Sequence, residues 1–318
     1  MSAAARSYLS KVLDIMEKNA LLRHQVEWTE VRRQAFSQAR AAQKPSDTYD
    51  AIRSALRTAG HGHSSFFEPK QVKEVIEAPP DSSFQGPEAR SLGEHVAYVS
   101  LPAVQGSDAA YQRYVRQGRE AVAKADRPGA CGWVVDLRRN HGGSMWPMLA
   151  VAGPILGDGK VGMFVDPDGK TYPWTIQNGS PRENGRPFDW GDSAPVANPH
   201  APVAVLTDGV TASAAEAVAV AFRGRPQTRS FGEDTYGVPT GNKNRRLSDG
   251  AVLGLTEVKD ADRTGRNYDA PISPDEEIPT MKLRSGAHAD QVLQAAKNWL
   301  SKSARGCGSG RSGPRPGP

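Results

Sequence analysis

Between Val203 and Phe222 the chain passes from a short apolar run into a string of small residues, and the passage turns on a single serine. Val203, Val205 and Leu206 read as a buried strand, Thr207-Asp208-Gly209-Val210-Thr211 as a turn, and Ala214 to Phe222 as a helix that begins just after Ser213. Such an order obliges the fold to present a hydroxyl at a helix N-terminus. The first N–H groups there lack partners within the helix and carry partial positive charge, which stabilises negative charge developing nearby. Ser213 is therefore a candidate nucleophile, with Ala212, Ala214 and Ala215 leaving room for a substrate. The same position also suits a serine that merely caps a helix.

A second segment supplies what a nucleophile needs. Gly132-Trp133-Val134-Val135-Asp136-Leu137 reads as a buried strand, and Arg138-Arg139-Asn140-His141-Gly142-Gly143 as a charged turn ending in two glycines. A glycine pair reaches backbone conformations that aim N–H groups at a ligand, and an oxyanion requires donors aimed in advance. A tight strand-to-helix turn would use the same residues. Asp136 and Arg138 read as a bracing ion pair at the strand end.

Apolar periodicity places helices early and an alternation of strands and helices later. Leu9, Val12, Leu13 and Met16 form one stripe; Trp28, Val31 and Ala35 a second; Tyr49, Ile52 and Leu56 a third. Strands are expected at Val96 to Leu101, Trp133 to Leu137, Val203 to Leu206 and Ala251 to Val258, with helices at Ala109 to Ala125 and Ala214 to Phe222. The class is α/β. Residues 1–66 are expected to form a three-helix N-terminal cap, 67–303 the α/β core, and 304–318, rich in Gly, Ser, Arg and Pro, a disordered tail.

Three motifs in order resemble those of the carboxyl-terminal processing (tail-specific) serine peptidases and the related tricorn core proteases. They are Asp136-Leu-Arg-x-Asn-x-Gly-Gly143, then Thr211-Ala-Ser-Ala-x-Glu216, then Gly232-Glu233-Asp234-Thr235-Tyr236-Gly237. The likeness extends to Leu247–Thr256, to Pro271-Ile272-Ser273-Pro274-Asp275 and upstream to Gly62-His63-Ser64, covering most of residues 1 to 300. It implies a ClpP/crotonase-like core of repeated strand-strand-helix units and a serine peptidase acting through an acyl-enzyme.

The tail-specific branch places a lysine base directly after the third motif, where this chain has Val238, and Lys243 is a poor substitute. The tricorn branch uses a histidine that follows the N-terminal helices, and His63 matches it. A Ser213–His63 pair is therefore expected, since imidazole takes up and returns a proton near neutral pH; His61 and His141 are the alternatives. The resemblance puts the carboxylate that orients the base near Asp269, with Glu233, Asp234 and Glu216 as alternatives, although Glu216 better suits ordering its own helix or a nearby turn. The oxyanion hole is assigned to the N–H groups of Gly142 or Gly143 with that of Ala214.

The remaining features bound the reading. At 318 residues and 38% hydrophobic content the chain can bury a large core. Its net charge of +5 is scattered, without aromatic-basic or zinc spacing, so nucleic acid is not an expected partner. Two cysteines, Cys131 and Cys307, make neither a disulfide framework nor a metal site, and Cys131 reads as a packed thiol. No metal or organic cofactor is expected. No apolar run has membrane-spanning length and the N-terminus lacks a signal-peptide pattern, which leaves localisation open. The segment Phe67 to Glu94 is too short for the PDZ domain usual in tail-specific proteases. Residues 157–200, with Phe164, Tyr172, Trp174 and Trp190, suit either a cleft-bordering insertion or a surface excursion. Peptides or unfolded chains are the expected substrates. The rival is a ligand-binding protein on the same fold, like the retinoid-binding relatives of the family; a crotonase-type acyl-thioester enzyme has no motif support.

Overall fold

A computed structural model describes residues 1–59, 61–80, 84–126, 129–279 and 290–303. Its centre is a six-stranded sheet ordered Glu276–Glu277, Thr228–Gly232, Val203–Thr207, Gly132–Asp136, Val96–Ser100, Glu88–Ser91. All neighbours are parallel except the last pair, in which Glu88–Ser91 runs antiparallel to Val96–Ser100. Each parallel step needs a crossover. The helices Asp108–Asp126, Met145–Leu156 and Ala214–Phe222 lie in the three central crossovers.

Side chains of the central strands are buried on both faces, as a parallel sheet requires. Trp133, Val135, Val203 and Val205 face the crossover helices. Val134, Ala204 and Leu206 alternate to the other face and meet Val292, Ala296 and Leu300 of the C-terminal helix Gln291–Ser303. The near-continuous apolar runs in the sequence are this two-sided burial read along the chain.

A second, antiparallel sheet is built on the long strand Val252–Asp262. It pairs with Ser65–Phe67 and Gly159–Val165, and also with Thr240–Arg246 and Asn267–Tyr268. The helices Ala3–Asn19, Trp28–Gln38 and Tyr49–Ala59 pack on this sheet, sharing one apolar cluster with Phe66, Leu247, Ala251, Leu253 and Leu255. Tyr8 and Tyr49 both donate to the carboxylate of Asp249, at 2.9 and 2.7 Å. These helices therefore bury their stripes against a strand nearly two hundred residues away, which no local pattern reveals.

Between Phe67 and Glu94 lie a helical turn, Pro69–Ile76, and the edge strand Glu88–Ser91. Cys131, read from sequence as a packed thiol, is instead disulfide-bonded. Cys307 and the rest of the expected tail lie outside the described residues. No helix among the described residues is long and apolar enough to cross a membrane.

Candidate active site

The Val203–Thr207 and Gly132–Asp136 strands run side by side and in the same direction, so the loops leaving their C-terminal ends are neighbours. Such a position is where ligands bind in open α/β sheets. Asp208 joins the two loops. Its carboxylate accepts N–H bonds from Arg139 at 3.0 and 3.1 Å and from Thr211 at 3.0 Å. Ala212 N–H donates to Asn140 O at 2.9 Å. Asn140 itself is fully buried; its Nδ2 donates to Leu101 O at 2.7 Å and its Oδ1 accepts the Gly142 N–H at 2.9 Å.

Ser213 sits at the turn between strand and helix with φ 55° and ψ −114°. A serine resists that region, at a cost on the order of 1–3 kcal/mol, so the surrounding bonds must hold it. Ser213 N–H donates to Glu216 Oε2 at 2.7 Å. Gly142 packs so close that a Cβ there would stand 2.9 Å from Ser213 Cβ, and a Cβ on Gly143 would stand 2.0 Å from Val104 O. Both glycines also have positive φ, 107° and 109°.

The expected oxyanion donors divide. The Gly142 N–H is committed to Asn140, and Gly142 does not line the cleft. Gly143 and Ala214 both line it, and their N–H groups have no hydrogen-bond partner among the described residues.

Glu216 is completely buried and accepts four bonds, from Ser213 N–H, Val238 N–H, Gly237 N–H and Thr235 Oγ1, at 2.5–3.0 Å. Four donors are what an ionised carboxylate can accept. Glu216 thus clamps the Gly232–Gly237 motif to the serine turn, which matches its expected ordering role. Glu216→Ala should lower stability by roughly 3 kcal/mol, because several buried donors lose their acceptor; a denaturant titration measures it.

His63 reaches the same cleft from the segment before the Ser65–Phe67 strand. Asn242 Nδ2 donates to His63 O at 2.9 Å, and Ser64 Oγ bonds Thr256 Oγ1 at 3.0 Å, so the antiparallel sheet fixes the backbone there. The ring Nδ1 lies 2.7 Å from Thr240 Oγ1. Burial, followed by the neighbouring His61, lowers the His63 pKa to about 4. His61 does not line the cleft, whereas the exposed His141 does.

Asp269 is not brought to this place. Its carboxylate is 64% exposed and pairs with Lys259 at 3.2 Å, away from the cleft lining. Glu233 and Asp234 do not line the cleft either. The group beside His63 is instead the hydroxyl of Thr240, and the buried acid of the cleft is Asp260. Sequence reasoning missed both. Thr240 follows the third motif by only three residues, and Asp260 stands in the charged stretch Lys259-Asp260-Ala261-Asp262, which gives no local sign that one of its acids is buried.

The Val238 N–H is bonded to Glu216 at 3.0 Å. Lys243 also lines the cleft, but it is exposed, whereas a lysine becomes a base through burial. Arg138 forks onto Asp136, at 2.6 and 2.9 Å, and onto Asp290, at 2.8 and 2.9 Å, the brace expected at that strand end.

The cleft has a volume of about 930 Å³. Phe164, Asp166, Tyr172 and Glu183 from the 157–200 segment form part of its wall, so that insertion borders it. Trp146 packs on Phe164 and Phe188, and Phe188 stacks on Trp190 with centroids 5.0 Å apart.

These features define a mixed α/β protein whose cleft gathers a strained serine, backbone donors without partners among the described residues and a half-buried histidine, the groups that serine hydrolysis uses. The sequence profile of peptidase family S41 matches residues 95–278, and the chain belongs to that family as a serine peptidase. It is 29% identical to the nisin-resistance protein of Lactococcus lactis subsp. lactis over 283 residues, which cover 89% of this chain and 85% of that protein. It is 28% identical over 215 residues to the carboxyl-terminal-processing protease of a Synechocystis species, covering 66% of this chain. It spans only 44% of that relative's length. Among solved structures, a lipoprotein from Streptococcus agalactiae superposes with a TM-score of 0.78 at 24% identity, over 95% of this chain and 98% of that one. At that identity the likeness concerns fold.

Proposed function

We propose that the protein is a serine endopeptidase with Ser213 as nucleophile and His63 as base, acting on peptides or unfolded chains. The observation that carries this reading is the meeting in one cleft of Ser213, His63 and the N–H groups of Gly143 and Ala214, which have no partner among the described residues. In this reading residues 1–66 form a cap that delivers His63 to a ClpP/crotonase-like core.

Thr240 Oγ1 donates toward Val238 O, 3.5 Å away, and accepts from the His63 Nδ1–H. That tautomer leaves Nε2 with a lone pair for the serine proton. Ser213 Oγ attacks the peptide carbonyl carbon as its proton passes to Nε2, and the N–H groups of Gly143 and Ala214 hold the oxyanion. Collapse breaks the C–N bond, and the imidazolium returns the proton to the departing amine. Water, deprotonated by the same nitrogen, then hydrolyses the ester and frees Ser213. Thr240 is a positioning residue. Thr240→Val should lower kcat on the order of 10–100-fold with little change in KM, by freeing the ring to rotate and change tautomer; steady-state kinetics separates the two constants.

Labelling of the intact protein with a fluorophosphonate, followed by peptide mapping, tests the assignment. An adduct on Ser213, absent from Ser213→Ala, is expected; folded protein that takes no label would favour the ligand-binding alternative. The Lactococcus relative's name, nisin-resistance protein, makes nisin a first compound to test as a substrate.

A further inference from the structure

Asp260 is a fully buried carboxyl group whose two oxygens have no hydrogen-bond partner among the described residues, and it lines the cleft that holds Ser213. A buried carboxyl without a partner lowers stability, and no hydrogen bond among the described residues repays that cost. The adjacent cation does not answer it: Lys259 points to the opposite face of the strand, as alternation demands, and pairs with Asp269. Glu216 is an acidic neighbour whose charge acts on Asp260, and its own acceptor positions are filled by four donors. Burial and the Glu216 charge both disfavour the ionised form of Asp260, and a cationic group entering here would supply the partner that the carboxyl lacks and favour that form.

The surroundings say which part of a substrate would reach it. Ala214 and Ala217, three residues apart on one face of the serine helix, line the cleft together with Asp260 and Gly241. Their minimal side chains leave a slot between the helix and the Val252–Asp262 strand. Ala214 also carries one of the two free N–H groups, so the side chain nearest the attacked carbonyl enters this slot.

We propose that Asp260 determines specificity, accepting the ammonium or guanidinium of a lysine or arginine on the acyl side of the scissile bond. The inference rests on the peptidase reading for the word scissile, and on the cleft geometry for the rest.

Two quenched fluorescent peptides that differ only in lysine or norleucine at that position test it, because norleucine keeps the four-carbon stem and lacks the charge. The wild-type protein should favour the lysine peptide by at least about tenfold in kcat/KM. That ratio should fall to about one in both Asp260→Asn and Asp260→Leu. A purely structural role for Asp260 would lower both rates together and leave the ratio unchanged. Asp260→Leu removes the unpartnered acid and should raise the thermal midpoint, so loss of selection is separable from loss of fold. Equal or better cleavage of the norleucine peptide by wild type, or a lysine preference that survives both variants, overturns the proposal. If wild type cuts neither peptide, hydrolysis is the reading that fails, and calorimetric binding of the same pair decides this one. A lysine preference lost in Asp260→Asn upholds it, and equal binding overturns it.

Discussion

Ser213→Ala should abolish peptide hydrolysis, lowering kcat on the order of 10⁴–10⁶-fold while leaving the protein folded. The magnitude follows from the role: without the Oγ no acyl-enzyme forms, and the residual rate comes from the oxyanion donors and binding alone. Folding should survive because Ser213 contributes its backbone to the structure; its N–H, bonded to Glu216, is unchanged by the substitution. Alanine must adopt the same φ of 55°, so a small loss of stability accompanies the change. Hydrolysis of a quenched peptide by wild type and variant, with circular dichroism of both, measures the effect. A variant that retains the wild-type rate removes Ser213 as nucleophile.

His63→Ala should cost nearly as much, and the two losses should not multiply, because the pair acts as one unit. His61→Ala and Lys243→Met should be mild. The reverse ranking would transfer the base to one of them.

Wild-type pH dependence carries the same assignment. Burial disfavours the imidazolium and holds the His63 pKa at about 4, so the base stays neutral, and competent, down to that value. The acidic limb of kcat/KM should therefore fall through about pH 4 and not near the 6.5 of a free histidine. Stability follows the same sign. Between pH 6.5 and 4 the unfolded chain takes a proton on this histidine that the native protein refuses, so stability drops as the pH is lowered across that window, by roughly 3 kcal/mol in full. His63→Ala should lose that part of the acid sensitivity, which denaturant titrations at pH 7 and pH 4.5 would reveal.

The substrate end of the cleft contains a conflict between fold and function. Asp260 weakens the strand it occupies, and burial pushes its carboxyl well above the ordinary carboxylate range, with Glu216 adding to the effect. Thr240 and Asp260 are the two cleft residues that local patterns concealed. The threonine belongs to none of the recognised motifs, and the aspartate stands in the charged stretch Lys259-Asp260-Ala261-Asp262. Each acquires meaning only from what the neighbouring strands bring opposite it.

The amino-acid sequence by itself determined the elements that depend on neighbours along the chain. The helix Ala214–Phe222 begins and ends where its small apolar residues do, and Gly132–Asp136 and Val203–Thr207 lie within one residue of the expected strands. Ser213 and the glycine turn were likewise legible, because a hydroxyl at a strand-to-helix turn and a glycine pair are local features. Tertiary structure alone decided which groups meet. It left Asp269 on the surface with Lys259, committed the Gly142 N–H to Asn140, and carried His63 to Thr240 across 177 residues of chain. The physical reason is that periodicity and turn chemistry act over a few residues, whereas the pairing of Ser65–Phe67 with Val252–Asp262 is set by burial of the N-terminal helices against that sheet, a free energy spread over the whole core.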